Sequence, residues 1–181
     1  MVDIVLRATP WFWPTLAGAV VVSLVSYRRV AGSLGASPVV CLLLLISLGG
    51  VVALTLTPGI AISPTSDGAC DLRIVAPLGL ERMFSLGQRS LNVLLFIPVG
   101  VSIGLLPWSR SRLVIAVGAL VLPFLVEGLQ YALPPLGHAC VAADVIDNLT
   151  GLVLGLGAGT LALLVAGAFR LLHATDASSR T

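Results

Sequence analysis

The chain has 181 residues, of which 57% are hydrophobic and only 10% charged, and its mean hydropathy is +1.08. Soluble domains carry about 25% charged residues, so the composition excludes a water-soluble globular protein and predicts a single membrane domain over residues 1–172. The formal net charge is only +2 and no basic run occurs, which argues against a nucleic-acid partner.

The apolar segments predict an all-α fold, a polytopic bundle of about five membrane-spanning helices. A bilayer core about 30 Å thick needs roughly 20 apolar residues per helix. We place the spans at residues 11–26, 38–57, 91–106, 113–133 and 142–172, followed by a polar tail over 173–181. Pro98 and Pro123 fall inside spans, where a proline bends a helix rather than ending it.

The first span opens with Trp11, Phe12 and Trp13, as expected at a membrane interface, and its apolar run ends at Tyr27-Arg28-Arg29. A signal peptide would carry its basic residues before the apolar core. Here they follow the core, so we expect a retained anchor. The only long polar connection covers residues 58–90, and part of it could lie along the interface or form an ordinary loop helix.

Five spans place the termini on opposite faces of the membrane. Six arginines fall on one face and four on the other. The larger set is Arg28, Arg29, Arg110, Arg112, Arg170 and Arg180, and the smaller set is Arg7, Arg73, Arg82 and Arg89. The positive-inside rule puts the larger set in the cytoplasm. The N-terminus and the connections 58–90 and 134–143 are then outside, and the C-terminus is cytoplasmic.

Polar residues converge at the outer end of this bundle, where ionisable groups are costly and mark functional sites. The predicted site comprises Asn92, Glu127, Gln130, Asp144, Asp147 and Asn148, with Tyr131 and His138 as accessory residues. Glu127 lies about 22 Å along the fourth helix, too deep for a cap. It therefore either hydrogen-bonds another helix or serves a ligand. For Asp144, the alternative is that it serves only as a cap near the N-terminus of the fifth helix.

Glycines continue the face of Asp147 along the fifth helix. Gly151, Gly155 and Gly159 recur every four residues, a spacing that lets another helix approach closely. His138 and Cys140 could ligate a metal, but no second pair accompanies them. We therefore expect neither a metal nor a cofactor.

The cysteines divide into one apolar and two polar positions. Cys70 and Cys140 fall in the two connections predicted to be external, where disulfides persist. A bridge between them would hold the long connection over the start of the fifth span as a lid, and the alternative is two free thiols. Cys41 is expected to be buried in the second span.

Three blocks of sequence carry a family resemblance. They are Asn-Val-Leu-Leu-Phe-Ile-Pro-Val-Gly over residues 92–100, Glu127-x-x-Gln130, and Asp144-x-x-x-Asn148-x-x-Gly151. Their order and spacing over residues 40–165 resemble the VanZ-like family of small membrane proteins, whose namesake is associated with low-level teicoplanin resistance. Two positions depart from the family. His138 replaces its usual Arg and could pair with a carboxylate only when protonated, and Val141 replaces a frequent Asp.

The resemblance implies a role at the bacterial cell envelope, and three functions remain open. The first is a non-enzymatic binder of an amphiphilic ligand at the outer leaflet, such as a lipid-linked cell-wall precursor or a lipoglycopeptide, with membrane lipids around it. The second is an enzyme acting on a lipid-linked phosphate with a carboxylate-held divalent cation. The third is a small transporter, against which the absence of an obvious inverted repeat argues.

Overall fold

The computed structural model describes residues 10–58, 71, 73, 76–79, 87–133 and 141–178. Over these residues the chain forms five helices and no strand, so the predicted all-α fold is confirmed. The helices are α1 (Phe12–Leu34), α2 (Pro38–Thr55), α3 (Gln88–Gly104), α4 (Arg110–Ala132) and α5 (Ala142–Ser178).

The first helix ends later than the sequence pattern predicted. The prediction that Tyr27-Arg28-Arg29 terminates it is wrong, because α1 continues to Leu34. Arginine has a high helix propensity and does not stop a helix. The stop comes from Gly35, whose φ of 59° is the left-handed conformation typical of a C-cap. A short turn then leads to Pro38, at the first position of α2.

Three other boundaries also differ from the prediction. Helix α3 begins at Gln88 rather than at residue 91, so Arg89 belongs to its first turn. Helix α4 begins at Arg110 rather than at residue 113. Ser109 caps it by accepting a hydrogen bond of 3.1 Å from the Arg112 N–H. Helix α5 continues to Ser178, so residues 173–178 of the predicted polar tail are helical.

Three of the described helices are long and apolar enough to cross a membrane: Pro38–Thr55, Arg110–Ala132 and Ala142–Arg170. Their large apolar side chains are widely exposed, as at Val114, Val117 and Phe124 on α4. A soluble monomer rarely exposes such contiguous apolar surface. Both the composition and the exposed apolar surface are therefore those of a membrane protein.

Helices α3 and α5 lie side by side in parallel, with their backbones in close contact. A Cβ atom on Gly151 would overlap the carbonyl oxygen of Val93, and one on Gly155 would overlap that of Ile97. The prediction that the glycine stripe permits a close helix approach is confirmed. Gly100 of α3 is equally restricted, since its Cβ would overlap the Leu152 carbonyl oxygen. Small residues on both helices create this contact.

The remaining helices pack around this pair. Helix α1 lies against α2, with Ala19 directly over Gly49, and α2 lies against α3. Helix α4 contacts both α3 and α5. The core between them includes Phe96, and also Cys41, which is fully buried as predicted.

We expect Gly155→Ala to destabilise the protein, because the added methyl group would overlap the Ile97 carbonyl oxygen. Overpacking of this kind costs about 1–3 kcal/mol. Gly157→Ala is the matched control on the same helix, since its Cβ would meet nothing within 4 Å. Thermal unfolding in detergent should show a lower Tm for Gly155→Ala only. Equal Tm values for both variants would contradict the close contact.

Candidate polar site at the start of α3 and α5

A bidentate ion pair joins the first turn of α3 to α5. The Nε of Arg89 donates to Oδ2 of Asp147 at 2.7 Å, and its Nη2 donates to Oδ1 at 2.8 Å. The same Nη2 also donates to the Ala76 carbonyl oxygen at 2.8 Å. Two parallel charge-assisted hydrogen bonds fix both the distance and the orientation of the two groups.

The two partners differ in their exposure. The Asp147 side chain is 0% exposed, whereas that of Arg89 is 36% exposed. Removing one member of a buried ion pair typically costs about 3–5 kcal/mol, because the other charge is left without a partner. Asp147 thus depends on Arg89, while part of the guanidinium surface still faces outward.

Sequence reasoning missed Arg89, because it placed this residue in the polar connection before the third span. The local signal was present: Arg89 and Asn92 are three residues apart and share a face once the helix begins at Gln88. The identity of its partner, 58 residues later, required the register between α3 and α5.

Two further predicted residues lie one turn away. Asn92 is one turn beyond the arginine on α3, and Asp144 of α5 lies close enough to interact electrostatically with that arginine, with Asp147 and with Glu127. One arginine therefore faces more than one carboxylate. Asn148 completes the group at 3% exposure, and its Oδ1 is a fully buried acceptor with no hydrogen-bond partner among the described residues. Buried polar atoms are seldom left in this state.

Glu127 reaches the start of α5 from α4. Its Oε2 accepts a hydrogen bond of 2.9 Å from the N–H of Val141, the residue immediately before α5, and its side chain is buried. This bond to the beginning of a different helix is the first of the two roles predicted for Glu127, and a role toward a ligand stays a prediction. The contact forms because α5 begins level with the last turns of α4.

Gln130 and Tyr131 lie apart from the ion pair. The buried Gln130 donates from Nε2 to the carbonyl oxygen of Thr55 at 2.9 Å and so joins the ends of α4 and α2. Tyr131 is 57% exposed. The structure therefore brings Asn92, Asp144, Asp147 and Glu127 to one end of the α3–α5 pair, and directs Gln130 to another helix.

The connection before α3 contains an exposed ion pair near this end. Arg73 hydrogen-bonds Asp71 with its guanidinium and its backbone N–H, and these bonds hold the pKa of the Asp71 carboxyl down at about 2. Exposed pairs contribute little to stability. The backbone of Asp71 has the structural role, since its carbonyl oxygen accepts a 2.9 Å hydrogen bond from the Ala142 N–H and it forms a parallel bridge with Val141.

Three of the predicted residues, His138, Cys70 and Cys140, lie outside the described residues. Within the described part of the chain, no group of three or more His, Cys, Asp or Glu side chains is placed to hold a metal ion. The described site can supply one guanidinium, several carboxylate oxygens and amide groups. These groups can form hydrogen bonds and charge pairs.

Comparison of the chain with known protein families, with curated proteins and with solved structures finds no match.

A disulfide between Cys70 and Cys140 remains a prediction, because both cysteines lie outside the described residues. We expect non-reducing mass spectrometry to recover a peptide pair linking Cys70 to Cys140. The buried Cys41 should remain a free thiol. Complete alkylation of Cys70 and Cys140 in protein purified without reductant would disprove the bridge.

Proposed function

We propose that this chain is a VanZ-like integral membrane protein of the bacterial cell envelope. In this proposal it binds the polar head of an amphiphilic or lipid-linked ligand at the outer leaflet, without chemical turnover, and contributes to glycopeptide (teicoplanin) resistance. The observation that carries the proposal is the Arg89–Asp147 ion pair, with its buried carboxylate and partly exposed guanidinium. Arginine suits the phosphate or carboxylate of such a head group because it recognises planar or tetrahedral anions through paired donors.

The location of the polar groups supports binding at a membrane face. They lie at the start of α3 and α5, while the surface of α4 and α5 beyond them is apolar. A lipid-linked ligand could place its head at these groups and leave its chain in the surrounding hydrocarbon. The Oδ1 of Asn148 at this end is buried and has no hydrogen-bond partner among the described residues, and an amide oxygen accepts from a hydroxyl or amide hydrogen.

The proposed family assignment rests on the three sequence blocks. Asn92 comes from the first block, Glu127 from the second and Asp144 from the third. Asn92 and Asp144 lie near the beginnings of the adjacent helices α3 and α5, and Glu127 bonds the residue before α5. Residues from all three blocks therefore lie at the same end of the bundle.

The proposed topology has five spans, an external N-terminus and a cytoplasmic C-terminus. Helix α3 has only 17 residues, about 25 Å at 1.5 Å per residue. Its parallel contact with α5, a helix that is long enough to cross, supports the proposal that α3 is also a span. Helix α1 has 23 residues and begins beside the exposed Trp11 and Trp13, as at an interface.

The functional proposal predicts that Asp147→Asn and Glu127→Gln abolish the teicoplanin resistance conferred on a susceptible bacterium. Glutamine at 127 can still accept the Val141 hydrogen bond, so we expect an unchanged amount of the Glu127→Gln protein in the membrane. The minimal inhibitory concentration should fall to that of cells lacking the protein. Arg73→Gln is the matched control, since it breaks an exposed ion pair instead of the buried one.

A charge exchange separates ligand binding from structural support. Arg89→Asp combined with Asp147→Arg can restore an ion pair, but the partly exposed position 89 then carries an anion instead of a cation. We expect the double variant to recover protein level and Tm without recovering resistance. Recovery of full resistance by the exchanged pair would show that the pair has only a structural role.

The topology predicts that a cysteine at position 62 reacts with an impermeant maleimide on intact cells and that one at position 33 does not. Both are introduced into a chain whose three native cysteines are replaced by Ser. Ser33 is exposed at the end of α1 and is accessible to label after the membrane is opened. Labelling at 33 but not at 62 in intact cells would require the inverted orientation.

A further inference from the structure

Arg112 lies at the opposite end of the bundle from the polar site and is a buried cation. It is 6% exposed, its Nη1 donates to the Leu106 carbonyl oxygen at 3.0 Å, and its Nη2 donates to the Thr160 hydroxyl. No acidic side chain of the described residues forms an ion pair with it. A buried charge without a counter-charge attracts an anion strongly, because the surroundings screen it poorly.

The residues around Arg112 indicate a membrane–water interface. Trp108 is 69% exposed, and its ring centroid lies 4.0 Å from the Arg112 guanidinium carbon, which stacks over the ring face. Exposed tryptophans concentrate at the head-group level of a bilayer. Arg110 is exposed at the first residue of α4, where the positive end of the helix dipole adds to its charge. This end therefore presents positive charge at head-group depth.

An apolar groove begins one helical turn from Arg112. Its volume is about 200 Å³, and its lining is formed by Leu44 and Leu48 of α2, Ile103 of α3, and Ile115, Gly118 and Leu122 of α4. Ile115 is three residues after Arg112. Ile103 is three residues before Leu106, whose carbonyl oxygen Arg112 binds. The groove thus lies about one helical turn further into the bundle than Arg112.

We propose that this groove and the arginines at its end form a binding site for one anionic phospholipid. The phosphate lies at Arg110 and the N-terminus of α4, under the field of Arg112, and one acyl chain lies in the groove. The lipid and the site match in charge and polarity, because the anionic phosphate lies near two arginines and the acyl chain lies against apolar side chains. This site is separate from the polar site at Arg89. The proposal does not depend on the orientation of the chain in the membrane.

Native mass spectrometry of the full chain in detergent tests the proposal with dioleoyl phosphatidylglycerol and dioleoyl phosphatidylcholine as probes. We expect one phosphatidylglycerol to be retained in preference to phosphatidylcholine. Gly118→Phe should lower the affinity about tenfold, because it fills space that two or more methylenes would occupy. The substitution is sterically open, since a Cβ there meets nothing within 4 Å. Gly128→Phe, equally open on the same helix but outside the groove, should have no effect.

The head-group contact is tested with Arg110→Gln, which should reduce the preference for phosphatidylglycerol about fivefold. Arg29→Gln removes an exposed arginine elsewhere and should leave the preference unchanged. Two outcomes would overturn the proposal: equal retention of both lipids, or equal effects of Gly118→Phe and Gly128→Phe. Displacement of the lipid by millimolar inorganic phosphate would also overturn it, because it would reveal an anion site without an acyl-chain groove.

Discussion

The close contact between α3 and α5 is the constraint on which the other features depend. Gly151 and Gly155 on one helix and Gly100 on the other leave room only for backbone against backbone. This contact fixes the register, and the register places Arg89 opposite Asp147. A shift of one residue along α5 would turn each side chain by about 100° and remove the buried carboxylate from its only described cationic partner.

The charges of the bundle are concentrated at its two ends, with an apolar interior between them. Asp147 and Thr160 are thirteen residues apart on α5, about 20 Å along the helix, and each bonds a different arginine. Arg89 is neutralised by a carboxylate. Arg112 is instead solvated by a carbonyl oxygen, a hydroxyl and an indole ring. Among the described residues, the first end therefore has more carboxylates than arginines, whereas the second retains a positive charge that no carboxylate neutralises.

Most elements were predictable, because hydropathy and length define apolar helices locally. The errors at their boundaries have local physical causes. The pattern treated Arg28 and Arg29 as a helix end, yet charge alone does not terminate a helix and Gly35 does. It placed Arg89 in a connection, although the helix had already begun at Gln88.

The sequence by itself determined that the chain is a helical membrane protein, that Gly151, Gly155 and Gly159 form a contact stripe, and that the unusual carboxylates lie near one end. These properties follow from composition and from the 3.6-residue period, which act within each segment. Only the tertiary structure decided which groups meet: Arg89 with Asp147, Glu127 with the Val141 N–H, and Gln130 with Thr55. Such pairings depend on which helices are neighbours and on their register. Both are set by backbone packing between segments far apart in the chain, for which a single sequence carries no local signal.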